Sequence, residues 1–126
     1  MKVVYEFSRE EENVYAFHGE SVIGYLRLRV GEVTDVLFCY VEEGHRGKGV
    51  GTGLYLAVAQ ALASQSTFLR SDTFLSQEAE KLWKRLKQLY PDRVVWSPYI
   101  ERYLFRLSGF ELDSLRNLEE HHPPKS

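Results

Sequence analysis

With a single cysteine, Cys39, the sequence can form no internal disulfide, and no partners stand around it at the spacing of a structural zinc site. Neither a secreted disulfide scaffold nor a structural zinc site is indicated. Long apolar runs are missing too. The longest, residues 54–63, is broken by Gln60 and falls well short of the roughly 20 residues that cross a bilayer. The opening Met1-Lys2-Val3-Val4-Tyr5-Glu6 lacks the apolar core of a signal peptide, so the expected location is the cytoplasm, with no membrane partner. No charge of one sign dominates: 16 Lys and Arg against 18 Asp and Glu leave a formal net charge of -2, which gives no support to nonspecific nucleic-acid binding. No internal repeat is evident.

What is present is the composition of an ordinary soluble globule, 44% hydrophobic and 27% charged over 126 residues, with room for one core and one domain. That domain is expected over 1–112. The polar remainder, 113–126, has nothing to bury and reads as a tail. Its His121 and His122 have no third ligand nearby and are followed by Pro123 and Pro124, so no metal site is expected.

Valine and aromatics over 2–7 predict a strand, and the acidic stretch 8–13 a turn. Residues 14–18 and 22–30 flank Gly19-Glu20-Ser21 as a hairpin, with Leu26, Leu28 and Val30 on one face and Tyr25, Arg27 and Arg29 on the other. Residues 33–41 are apolar on both faces after Asp35, as in a central strand covered by helices on both sides, the best buried of the set. A helix is expected over 50–64 with Leu54, Ala57, Val58, Ala61 and Leu62 on the sheet, then a short strand over 67–70. Ser76 is the expected N-cap of a second helix that presents Ala79, Leu82, Trp83, Leu86, Leu89 and Tyr90 along one face until Pro91 ends it. Residues 94–96 and 103–107 read as closing strands, although 99–107 also tolerates a helical period.

Between the 33–41 strand and the first helix lies Glu42-Glu43-Gly44-His45-Arg46-Gly47-Lys48-Gly49-Val50-Gly51-Thr52-Gly53. Glycines let the backbone approach a ligand closely, and the amides of a new helix's first turn have no intrahelical partner. The helix start contributes roughly half a positive charge, and Arg46 and Lys48 add to it, so a ligand with several phosphates is the natural guest. The Walker pattern fails because Gly49, not Ser or Thr, follows Lys48. The dinucleotide fingerprint fails because its third glycine would fall at Thr52.

The pattern that is met joins Val41, Arg46, Gly47, Gly49, Gly51 and Leu54 without a gap, in register with the strand, loop and helix. It resembles the GNAT superfamily of N-acetyltransferases, and the order of elements over about 14–107 fits. The resemblance implies an α/β (α+β) GNAT-like acyl-CoA N-acyltransferase fold: a central mixed, mostly antiparallel sheet flanked by helices. It implies transfer of an acetyl group from acetyl-coenzyme A to a primary amine. Cys39, Tyr40 and Val41 would contact the donor's pantetheine arm, one of their backbone amides serving the oxyanion; Arg46, Gly47, Lys48, Gly49, Val50, Gly51 and Thr52 would hold the pyrophosphate. Family members commonly carry one or two helices between their first two strands, and here only about six residues join them. The acceptor side is therefore expected to be open, suiting a protein or peptide amine, or a second subunit of a homodimer that supplies the wall.

Acyl transfer also calls for a base and an acid. Asp35 is the only carboxylate within the central strand and, by alternation, would share a face with Leu37, Cys39 and Val41. An apolar surface there would raise its pKa toward a useful range. Histone-acetylating members carry an acidic base six residues before the strand's last hydrophobic residue, as Asp35 stands before Val41. The other reading is a solvated carboxylate, or one bonded to a turn amide. Cys39 is read as core, not as a nucleophile, having no adjacent histidine or cation. The acid departs from the family pattern: four residues beyond Ala79, where many members carry a tyrosine, stands Trp83. Water, Tyr90 or Tyr99 would have to act instead. A non-catalytic acetyl-coenzyme A binding module is the second reading, and a ligand-free interaction domain is disfavoured by the intact loop.

Overall fold

Strands β1 (Val4–Ser8), β2 (Asn13–His18) and β3 (Ser21–Arg29) form an antiparallel meander in the computed structural model, which describes residues 2–111. β4 (Val33–Val41) continues it antiparallel to β3. The chain then crosses through α1 (Val50–Ala61) into β5 (Phe68–Arg70), which runs parallel to β4, as a helical crossover permits. After α2 (Gln77–Leu89), a hairpin of β6 (Val94–Ser97) and β7 (Arg102–Arg106) returns and slots β7 between β5 and β6. The result is one seven-stranded mixed sheet in the order β1-β2-β3-β4-β5-β7-β6, antiparallel at every junction except β4–β5.

The ambiguous 99–107 segment is strand from Arg102. Tyr103, Phe105 and Leu107 are buried at two-residue spacing, and that alternation carries more apolar surface into this core than a helical period would. Ser76 caps α2 as expected, its hydroxyl accepting from the Ala79 amide at 3.1 Å. The expected tail, with His121 and His122, lies outside the described residues.

Both helices lie on one face of the sheet. Tyr55 of α1 meets Trp83 of α2 edge-on at 5.3 Å, and Trp83 stacks on Tyr103 of β7 at 5.6 Å. Ile23, Leu26, Leu28, Val36, Leu69 and Phe105 form the sheet side of this core. α1 is buried nearly all round: Val50, Leu54, Tyr55, Leu56, Val58 and Ala59 are all buried, while Ala61, expected against the sheet, is exposed. Sheet and α2 cover it from two sides, so a single apolar stripe was too narrow an expectation.

The opposite face corrects the reading of β4. Among the described residues no helix covers it, and Leu37, Phe38 and Tyr40 are exposed there or at its edge, so β4 is not the best-buried strand. Apolar residues on both sides of a strand signal burial only if both sides have a covering layer. The short connection at 9–12 supplies none. A second correction concerns parity. Arg27 pairs with Phe38 but Leu28 with Val36, so Leu37 is the extra residue of a β-bulge. An extra residue reverses the alternation beyond it. Cys39 and Val41 therefore face the helices with Val36, while Asp35 faces the open side, not the face of Cys39 and Val41.

Candidate functional site

β4 and β5 are paired only from Val33↔Phe68 to Asp35↔Arg70, and beyond that point the strands part. The Glu42 amide donates to Ile23 O on β3 at 2.7 Å, so by alternation the amides of Cys39 and Val41 point the other way, into the gap. The same gap opens into a cleft of about 670 Å³ between the end of β4, the start of α1 and one side of α2. A Leu37 bulge, a three-residue β5 and a helix that begins at Val50 together make this opening.

At its mouth the chain makes a short 3-10 turn, Glu43–His45, and then the glycine loop. Gly47 and Gly49 take left-handed φ of 76° and 85°, a region costly for residues with a Cβ. Gly49 is the N-cap of α1 and supplies no side-chain cap, so the first-turn amides stay available to a ligand. Arg46 folds back across the strand end, its Nε donating to Val41 O at 2.8 Å and its guanidinium 6.0 Å from the Tyr40 ring centre. Gly51 allows α1 and α2 to approach: a Cβ there would lie 2.9 Å from Leu82 Cδ1.

Of the residues singled out from sequence for the donor, Cys39, Tyr40, Val41, Arg46, Gly47, Gly49, Val50, Gly51 and Thr52 line the cleft, and Lys48 does not. Sequence reasoning missed the far wall, Ser76, Glu78, Ala79, Lys81, Leu82 and Arg85 from the first turns of α2, together with His45 and Tyr55. Lys81 and Arg85, one turn apart, signalled only a solvated helix face, because nothing local says that this face turns toward the glycine loop. Burial pushes the Cys39 thiol up to about 12, so it stays protonated and serves as lining, not nucleophile.

Asp35 is not among the lining residues. Its carboxylate accepts from Arg70 Nε at 2.6 Å and Arg70 Nη2 at 3.1 Å, with Arg29 at 3.8 Å and Arg102 at 3.9 Å. The Arg70 hydrogen bonds, with the charges of all three arginines, hold it below the usual carboxylate range against a smaller effect of burial. The expected upward shift is thereby reversed. Expectation counted the apolar neighbours in sequence and had no view of β5 and β7, which bring Arg70 and Arg102 alongside.

The arrangement of splayed strands, glycine loop and bare helix start is matched in sequence as well. The model of the acetyltransferase (GNAT) family matches residues 2–87, from β1 through most of α2. The chain belongs to the GNAT acetyltransferase family. GNAT structures also share the fold, at low identity. A GNAT-family acetyltransferase structure from Desulfovibrio desulfuricans matches 76% of this chain and 69% of its own at 13% identity and a TM-score of 0.52. Arabidopsis thaliana NAA60, solved in complex with a bisubstrate analogue, matches 74% and 72% at 16% identity and a TM-score of 0.51. A cAMP-binding acyltransferase from Mycobacterium smegmatis matches 88% of this chain and 38% of its own at 16% identity and a TM-score of 0.53. No curated protein matches the sequence. Among the described residues no helix is long and apolar enough to cross a membrane, and no cluster of three or more His, Cys, Asp or Glu could hold a metal ion.

Proposed function

We propose that this GNAT chain transfers an acetyl group from acetyl-coenzyme A to a primary amine on a protein or peptide. The observation that carries the reading is the bare start of α1, with left-handed Gly47 and Gly49 and no side-chain cap, at the mouth of a cleft that leads to the β4–β5 gap. The residues fit the donor. Amides of the loop and of the first helical turn suit the pyrophosphate, and Arg46, Lys81 and Arg85 around the cleft suit further phosphate charge. Acetyl-coenzyme A supplies an acyl group on a thioester. The amides of Cys39 and Val41, turned into the gap, suit a carbonyl oxygen that gains negative charge, and need no rearrangement to do so.

The sheet face that is bare among the described residues supports a large acceptor. Tyr25, Phe38 and Tyr40 lie together there, with ring centres 5.9 and 5.8 Å apart, and Phe38 is 52% exposed. An extended peptide offers apolar side chains to such a surface, whereas a small polyamine would leave it wet. Asp35, with its lowered pKa, is a weak proton acceptor. In this reading it fixes Arg29, Arg70 and Arg102, and the amine loses its proton to water.

Calorimetry with acetyl-coenzyme A is the first test. Micromolar binding, about 8 kcal/mol, is expected, with a rise in the melting midpoint by mass action. Absence of heat and of any shift at millimolar donor would remove the reading. Radiolabelled donor offered to separate pools of peptides, polyamines, aminoglycosides and nucleic acid should label peptides most strongly. Label confined to small amines would overturn the acceptor. A second reading, a binding module without turnover, is favoured by the burial of Trp83 at the place where many members carry a tyrosine. It predicts donor binding with no labelled pool at all.

A further inference from the structure

A thioester that loses its acyl group leaves a thiolate, and a proton donor beside the sulfur lowers the barrier. Neither alternative tyrosine considered from sequence reaches the cleft. Tyr90 ends α2 and packs on Phe105 and Phe110, and Tyr99 is 95% exposed in the turn between β6 and β7. Trp83 is fully buried and does not line the cleft.

Tyr55 does line it, though nearly all of its surface is buried. It stands one turn beyond Gly51 on α1 and so shares the face that approaches Leu82 and Val41. The Trp83 indole hydrogen-bonds its hydroxyl, and the ionisable neighbours of that hydroxyl are Cys39 on β4 and Asp72 just past β5. Those two residues stand on opposite sides of the gap that opens after Asp35↔Arg70, and Tyr55 itself lines the cleft into which that gap opens. Indole donates and cannot accept, so its bond leaves the phenolic proton uncommitted. A ring needed for packing alone would be served by phenylalanine, with no polar atom to satisfy.

We propose that Tyr55 is the catalytic proton donor to the departing thiolate, delivered from α1 in the cleft, with Trp83 orienting its hydroxyl from α2. The proposal rests on the acetyltransferase reading above. The amine nitrogen bonds to the acetyl carbon as the carbon–sulfur bond breaks. The electron pair of that bond stays on sulfur, and the phenolic proton moves to it. The phenolate regains a proton through water from the one the amine lost. Burial keeps the phenol well above its ordinary pKa and therefore protonated before each turnover.

Tyr55→Phe in the full chain tests this through two readouts. Acetyl transfer from acetyl-coenzyme A to a synthetic peptide with a free N-terminal amine and one lysine should fall about 100-fold in kcat, the scale of general acid catalysis, while coenzyme A affinity by calorimetry changes less than about twofold. The second readout is the thiol of bound coenzyme A, titrated by thiolate absorbance. A donor to sulfur favours the thiolate, so the variant should raise the bound thiol's pKa by about one to two units. Asp72 is unchanged by the substitution, and Cys39, pushed up to about 12, stays silent over most of the range. Turnover within about threefold of wild type, or an unmoved thiol, overturns the proposal. So does a loss of turnover matched by an equal loss of affinity. Wild type that fails to bind coenzyme A overturns the acetyltransferase reading as well, which separates the two failures. If Tyr55→Phe does not fold, Trp83→Phe reads the same pair: turnover should fall several-fold with affinity kept, and unchanged turnover overturns the proposal.

Discussion

Three guanidinium groups surround the Asp35 carboxylate, and this determines how it ionises and what its removal should do. Asp35→Asn keeps the shape but leaves Arg70 without its paired acceptor, and the midpoint of unfolding should fall by the equivalent of about 1–3 kcal/mol at neutral pH. The folded pKa lies below the ordinary value of 3.8, so the charge contributes stability above that value. That contribution is lost as pH falls through the lower folded pKa. Melting curves of wild type and variant should thus differ fully above about pH 5 and converge in strong acid. Turnover is the sharper measurement. With a weak base at this position, Asp35→Asn should lower peptide acetylation less than about tenfold and leave the rising limb of the pH profile in place. A loss of about 100-fold together with a displaced limb would restore Asp35 as the base.

At the scale of elements, the loop-to-helix junction couples the proposed donor site to stability through one backbone angle. Gly49 is both the N-cap of α1 and left-handed at φ 85°. Valine cannot take that angle without strain and would also place a branched side chain where the amides are open, so Gly49→Val should abolish detectable acetyl-coenzyme A binding and lower the melting midpoint. Asparagine visits the left-handed region and makes a good N-cap, so Gly49→Asn should hold the midpoint near wild type. It should still weaken the donor at least several-fold, because its side chain competes for the same amides. Calorimetry on the pair separates the conformational demand from the demand for open amides, and equal affinity in both variants and wild type would show that the junction does not hold phosphate.

On the scale of the whole molecule, one layer of helices over a seven-stranded sheet leaves the second face bare among the described residues. Phe38, half exposed on that face, adds little to the core but belongs to the surface assigned to the acceptor. Phe38→Ser should therefore change stability by less than about 1 kcal/mol while raising the KM for a peptide acceptor several-fold, with kcat and donor affinity nearly unchanged. Steady-state kinetics with varied peptide checks it. An unchanged KM would free this face for another role, of which a second copy of the chain is one, readable by sedimentation.

The backbone of the glycine loop was legible in the sequence because its geometry is local. Arg46, Gly47, Gly49 and Gly51 lie within six consecutive residues, and the left-handed angles and the uncapped helix start arise inside that stretch. The strands and helices were legible for the same reason, since hydrophobic period and the Ser76 cap are properties of neighbours in the chain. The tertiary structure decided everything that depends on residues far apart. One extra residue at Leu37 reversed the facing of Asp35 relative to Cys39, and pairing with β5 and β7 brought arginines from positions 70 and 102 to that carboxylate. The crossing of α1 and α2 joined Tyr55, which lines the cleft, to the buried Trp83, 28 residues on. An ionisation state or a proton donor is a sum over spatial neighbours, and the order of residues along the chain does not contain that sum until the sheet has closed.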